Sequence, residues 1–267
     1  MQSTRAHRHR SPNLTNNGVR MALPPELIDE ILTYLRDDKP ALLNCSLIAK
    51  SWVYPSQKLL YTNVRLTPKT YRIWQENSSP TSAELLQHVR TLSWHHFLQL
   101  SHRDYFGSLH RLERLAFRDF VRVESNITSI FSAFHTTLSS LSLSHVSLTW
   151  VAFIKVVDYF PNLRDLHLDQ SLFVGDPRAV PPLSRPPQGK LHLSLLSPDV
   201  TSMLSNGLPA SELRYDELEI IDVLDYTPSR IQPIVSACGK TLTRLALNLF
   251  SCKFQYHMPF SDTINIT

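Results

Sequence analysis

The chain is short of the residues that build backbone anion cradles and disulfide frameworks. Six glycines in 267 residues leave few places where the main chain can close on a phosphate, and no GxSxG, HExxH, GxGxxG or phosphate-loop pattern occurs. The three cysteines, Cys45, Cys238 and Cys252, are an odd number at long, unpatterned spacing. They form no CxxC pair for zinc, and they fit reduced thiols in a cytoplasmic or nuclear compartment better than a disulfide set. Long apolar runs are missing too: Val151 to Val157 is interrupted by Lys155, well short of the roughly 18 apolar residues of a membrane helix. The first twenty residues hold no apolar core of the kind a secretory signal needs. These absences point to a non-exported protein that is not an enzyme and has neither cofactor nor metal. The sequons at Asn13, Asn77, Asn126 and Asn265 are then accidents of sequence.

The net charge of +4 is local. Arg5, Arg8, Arg10 and Arg20 stand in the first twenty residues without an acid, so the rest of the chain balances at 23 cations against 23 carboxylates. Residues 1–21 read as a disordered basic tail, and nucleic-acid binding is not inferred from it. A hydrophobic content of 42% is enough to bury a substantial core in the remaining residues.

Residues 22–66 open with Pro24 and Pro25, which suit a first helical turn because the donors they lack would be unpaired there anyway. Glu26, Asp29 and Glu30 come next, where the helix dipole favours negative charge. Leu27, Ile28, Ile31, Leu32 and Leu35 then trace one broad apolar face. Pro40 opens a second short helix with Leu42 and Leu43. Leu47, Ile48, Trp52 and Val53 mark a third, expected to stop near Pro55. Three such helices make a very small core that needs an attached domain or a partner to cover its apolar faces.

The order Leu23-Pro24-x-Glu26-Leu27, Ile31-Leu32-x-x-Leu35, Leu43, Leu47, Lys50-Ser51-Trp52 and Leu60-Tyr61 resembles the F-box. Val64-Arg65-Leu66 is similar to the strand that comes after this box in fungal F-box-like proteins. Cys45-Ser46-Leu47-Ile48 departs from the more usual Val-Cys-x-x run before the tryptophan. The resemblance implies docking onto the SKP-family adaptor of cullin-RING ubiquitin ligases, through Leu23, Pro24, Glu26, Leu27, Ile28, Ile31, Leu32, Leu43, Leu47 and Trp52. The plainer alternative is an N-terminal helical cap on the next domain.

Beyond a linker of short helices at 67–87, an L-x-x-L-x-L core recurs through residues 88–267. Its central residues are Leu92, Leu115, Leu141, Leu166, Leu191, Leu218 and Leu245, and their spacing of 23 to 27 residues falls in the leucine-rich-repeat range. The period of two inside each core is that of a short strand with one buried face. Helical stretches lie between the cores, best seen from Thr149, a plausible N-cap, to Phe160. The fold expected is therefore α/β: a small N-terminal three-helix F-box-like module followed by an irregular leucine-rich-repeat solenoid, with parallel strands on one face and helices on the other. Five places after each central residue stand Phe97, Phe120, Val146, Ser171, Leu196, Val223 and Phe250 where the motif expects Asn or Cys, so the turns should be less regular. Asp176 to Gln188, with five prolines, reads as a surface loop. His95, His96 and His167 with Asp169 come nearest to metal or acid-base patterns, and are read as surface decoration on repeat strands.

The function this implies is substrate recruitment in a cullin-RING (SCF-type) ubiquitin ligase, with an unknown protein target on the repeats. The alternative is a leucine-rich-repeat binding scaffold outside any ligase. A pull-down with the adaptor separates the two.

A stack of repeats must cover its last apolar face. Phe254, Tyr256, Met258 and Phe260 are too apolar for a solvated tail, so Phe254 to Phe260 are expected to fold back over the last strand, unless the chain is cut from a longer solenoid. Deleting residues 251–267 should then lower the melting temperature or cause aggregation. An unchanged melting curve would mean that the tail covers nothing.

Overall fold

A computed structural model describes residues 23–76, 84–95, 106–119, 131–175, 188–194, 214–221, 232, 234–236 and 238–248. The basic tail, most of the proline-rich loop and the aromatic tail at 254–260 lie outside these residues.

The described chain begins with three helices, α1 (Pro25–Tyr34), α2 (Lys39–Ile48) and α3 (Lys50–Leu60). Pro25 opens α1 as its spacing requires, and Asp38 caps α2 by accepting from the Ala41 amide at 2.9 Å. Ile28, Leu32, Leu42 and Cys45 form the core of this unit, with Leu35, Trp52, Leu59 and Leu60 packed around it. The boundary between α2 and α3 differs from the sequence expectation. Leu47 and Ile48 end α2, the break falls at the extended residue Ala49, and Pro55 lies inside α3 rather than stopping it. A proline withholds its own N–H, here the one that would reach the Ser51 carbonyl, and its ring crowds that same carbonyl, yet the helix continues to Leu60.

After α3 the chain forms β1 (Asn63–Leu66), α4 (Pro68–Glu76), β2 (Thr91–His95), β3 (Arg114–Arg118), β4 (Ser140–Ser144) and β5 (Ser147–Thr149). It continues with α5 (Trp150–Tyr159), β6 (Asp165–Asp169), β7 (Leu172–Val174), β8 (Gln188–Ser194), β9 (Arg214–Ile221) and β10 (Arg244–Asn248). Eight of the strands make one sheet in the order β1-β2-β3-β4-β6-β8-β9-β10, every neighbouring pair parallel. The protein is thus mixed α/β, built on a parallel sheet whose strands keep chain order. Gln188, read from the sequence as loop, is the first residue of β8.

The register aligns the repeated cores residue for residue. Leu92, Leu115, Leu141, Leu166, Leu191, Leu218 and Leu245 are successive partners, and Val64 of β1 extends the row by one strand. All seven leucines are buried. Two places on runs a second row of Leu66, Trp94, Phe117, Leu143, Leu168, Leu193, Ile220 and Leu247. Behind the sheet a chain of ring contacts passes from Tyr71 of α4 to Trp94 at 5.1 Å, then to Phe106 at 5.1 Å, Phe131 at 6.1 Å and Phe160 at 5.7 Å. Thr149 caps α5 by accepting from the Ala152 amide at 3.2 Å. A small second sheet, β5 paired in parallel with β7, has no counterpart in the repeat pattern of the sequence.

Of the positions where less regular turns are expected, Phe97, Phe120, Leu196, Val223 and Phe250 lie outside the described residues, and the turns after β3, β4 and β6 share one geometry. Asp119, His145 and Gln170, each the residue after a strand, take left-handed backbone at φ 59°, 53° and 44°. Their amides donate to the last carbonyls of the next strands, at Ser144, Asp169 and Ser194. Ser171, at one of the positions where the motif expects Asn or Cys, is fully buried and donates from Oγ to the Leu143 carbonyl at 3.0 Å. Ser171 thus ties its turn to β4 through a buried hydrogen bond. At the other strand ends, the carbonyls of Thr62, Arg90, Glu113 and Ser139 each accept two amides from the next segment.

Gly189, near the start of β8, marks a step where this pattern is compressed. Its φ is +96°, and an added Cβ would overlap the Arg164 carbonyl oxygen. A left-handed L residue costs roughly 1–2 kcal/mol before any collision. Gly189→Ala is therefore expected to lower the unfolding free energy by more than about 2 kcal/mol, measured by urea denaturation. A loss under about 0.5 kcal/mol would mean that the Arg164 carbonyl moves aside freely.

Candidate functional site

Two surfaces are left without an intramolecular partner among the described residues. The first belongs to the helices, and it divides the residues singled out in the sequence. Ile28 and Leu32 are interior, serving the small helical core, and Trp52 is half-buried against it. Leu23, Pro24, Glu26, Leu27, Ile31, Leu43 and Leu47 are exposed. Leu27 retains 45% of its surface, Ile31 40% and Leu47 82%. Spacing explains the division: Leu27 and Ile31 stand four residues apart on one side of α1, with Leu23 just ahead of its first turn, while Ile28 and Leu32 occupy the adjacent inward side. Tyr34 and Ile48 are also large and exposed. Tyr34 continues the α1 stripe at i+3 from Ile31, a spacing visible in the sequence. Ile48 is harder to find there, because its spacing groups it with the third helix.

The second surface is the outward face of the parallel sheet, set by the same alternation that buries the leucines. On β1 to β3 it is basic, carrying Arg65, Arg114 and Arg118. The Arg65 Nε donates to His95 Nε2 at 3.0 Å, so that nitrogen is an acceptor and the ring's proton sits on Nδ1, which faces Asp119 at 3.8 Å. Burial, together with the charges of Arg65 and Arg118, lowers the His95 pKa, against an opposing pull from Asp119. The face then becomes small and uncharged through Ser93, Ala116, Ser140 and Ser142.

On β6 to β10 two charged rows run side by side. Parallel register stacks the rings of His167 and His192 with centroids 4.0 Å apart and planes 3° from parallel. His192 Nδ1 lies 2.5 Å from Glu219 Oε2 on the next strand. In the adjoining row Lys190 Nζ meets Glu217 Oε2 at 2.8 Å, and Arg244 Nη1 approaches the same oxygen at 3.8 Å. The lysine bond holds the Glu217 carboxyl below its ordinary value, and the carboxylate raises Lys190 in turn. An imidazole oriented by a carboxylate suits general-base chemistry, but one face of His192 is occupied by another histidine, not by a nucleophile. Among the described residues no three His, Cys, Asp or Glu side chains gather as metal ligands, and no helix is long and apolar enough to cross a membrane. Cys238 is buried, and burial pushes its thiol up to about 11, so it stays protonated and unreactive at neutral pH.

No protein-family model matches the chain, and no curated protein is significantly similar to it.

The histidines give stability a pH dependence of defined sign. Burial is the largest cause lowering the pKa of His88, His95 and His167 from the ordinary 6.5; His192 adds to it at His167, where Asp165 and Glu219 oppose it. The unfolded chain therefore takes up protons at a higher pH than the folded one. The stability associated with these neutral rings is present above the ordinary imidazole value and is lost as pH falls through it toward the folded values. The urea midpoint should drop between about pH 7.5 and about pH 5.8, before carboxylates titrate, and His167→Asn should flatten part of that slope. A midpoint constant across this range would contradict the assignment.

Proposed function

We propose that the protein is a substrate-recruiting F-box subunit of a cullin-RING (SCF-type) ubiquitin ligase. In this reading α1 and α2 dock the SKP-family adaptor, and the sheet is the strand face of a degenerate leucine-rich-repeat solenoid whose outward side chains bind a protein target. The observation that carries the proposal is the exposed stripe of Leu23, Leu27 and Ile31, with Leu43 and Leu47 on α2, on a helical unit whose own core is four residues. Large aliphatic side chains left in water at helical spacing favour burial against a partner. The Leu-Pro-x-Glu-Leu order at Leu23 to Leu27 supports the same partner.

The division of labour rests on the character of the two surfaces. The helical face is apolar and suits a dry, permanent contact. The sheet face changes from basic through small and neutral to charge-alternating, so it selects a target by complementarity of charge and not by apolar area.

Leu27→Asp with Ile31→Asp places unpaired charge in the proposed contact, at a cost of roughly 3 kcal/mol or more. Co-purification with a SKP-family adaptor should fall at least about 100-fold. Both side chains are exposed, so the melting temperature should hold. Arg118→Ala, on the sheet face, should leave adaptor binding intact. If the wild-type chain does not bind the adaptor, the ligase role fails and the scaffold reading replaces it.

A further inference from the structure

A third feature opens where the helices meet the end of the sheet, and it shares Asn63, Thr91 and Arg114 with the outward face. The C-terminal ends of α1 and α3 and the first residues of β1, β2 and β3 line a half-open cavity of about 640 Å³. Its size is that of a small-molecule site, but its walls are charged. Arg36, Lys58, Arg90, Arg111 and Arg114 line it against two carboxylates, Asp37 and Glu113, which leaves three positive charges in excess. Arg90 is paired with Glu113 at 2.5 Å. Among the described residues, Arg36, Lys58, Arg111 and Arg114 have no carboxylate within ion-pair distance in this cavity.

Cations also gather at helix C-termini to offset the backbone dipole, and two helices end here. Each helix end supplies roughly half a negative charge, so both together neutralise about one of the three excess charges. The remainder is unbalanced. His88, on the same wall, senses it: after burial, the charges of Lys58 and Arg111 are what disfavour its protonation. Its ring is held in place by the Tyr54 hydroxyl, 3.0 Å from Nε2.

We propose that this cavity binds a small, soluble polyanion carrying two or more phosphate groups. A single phosphate, with at most two negative charges at neutral pH, could match the net excess, but it cannot offer a separate pair of oxygens to each of the four cations without a carboxylate partner that reach in from three directions. Arginine suits the ligand because its planar fork pairs with two phosphate oxygens at once. The glycine-poor sequence offers no backbone cradle, so recognition is by side chains, and the ligand would bridge the helical unit to the first three strands. This site is independent of adaptor docking, since no lining residue belongs to the exposed stripe of α1.

The test is calorimetric titration of the full chain with inorganic tripolyphosphate at about 150 mM salt, where diffuse surface attraction is largely screened. The result expected is saturable one-to-one binding that Lys58→Gln with Arg111→Gln weakens at least ~10-fold. Arg65→Gln with Arg118→Gln removes the same charge from the outward sheet face and should change affinity less than about twofold. All four side chains are exposed, and melting curves confirm that each variant is folded. Absence of saturable binding overturns the proposal, as does an equal loss in both double variants, which would mean nonspecific attraction. A phosphoserine peptide that competes for the cavity and binds more tightly than tripolyphosphate would also overturn it, assigning the cavity to a modified protein instead.

Discussion

A five-residue strand with two inward side chains cannot hold itself together; its leucines are dry only when the strands on either side present theirs at the same height. That requirement of equal height governs the main sheet. It fixes the register from Val64 to Leu245, and with it the lengths of the connecting segments, since each must return the chain to one strand's width from where it left. The left-handed residues after β3, β4 and β6 and the doubly accepting carbonyls before β1, β2, β3 and β4 are local means to that end. They turn the chain at the same place in each circuit. The outward face inherits its order from the inward one, because a row of leucines in register forces a row of outward neighbours into register beside it.

Much of this is legible in the sequence because it repeats. A single L-x-x-L-x-L says little, but several at nearly constant spacing specify strands, their direction and their partners together. The same alignment implies the stacking of His167 on His192, since each stands one place after a central leucine. The split of the α1 residues is also implicit, as 27 and 31 lie on one side of the helix and 28 and 32 on the next.

Other features depend on contacts that local sequence does not encode. Gly189 resembles any loop glycine until the Arg164 carbonyl is known to lie against it. Ser171 reads as the loss of a motif residue, yet its hydroxyl reaches the Leu143 carbonyl from a buried position. The end of α2 is hard to place because proline is a strong local signal and the turn at Ala49 is a weak one; packing of α2 on α3 sets the boundary. The charged cavity is hidden for a similar reason. Its cations are separated by up to 78 positions in the chain, from Arg36 to Arg114, and converge only because helix ends and strand starts meet at one end of the sheet.

Strand order that keeps chain order also has a mechanical meaning. A pull on the two ends of the sheet acts along its hydrogen bonds and across its strands, so every interface between neighbouring strands bears the whole force in series. Such a sheet peels one strand at a time from its weakest seam, unlike a sheet whose terminal strands lie side by side and must shear together. A molecule gripping outward side chains on several strands ties those seams in parallel. In the proposed role, a target seated on that face would also act as a splint, and the protein would resist tension best while holding it.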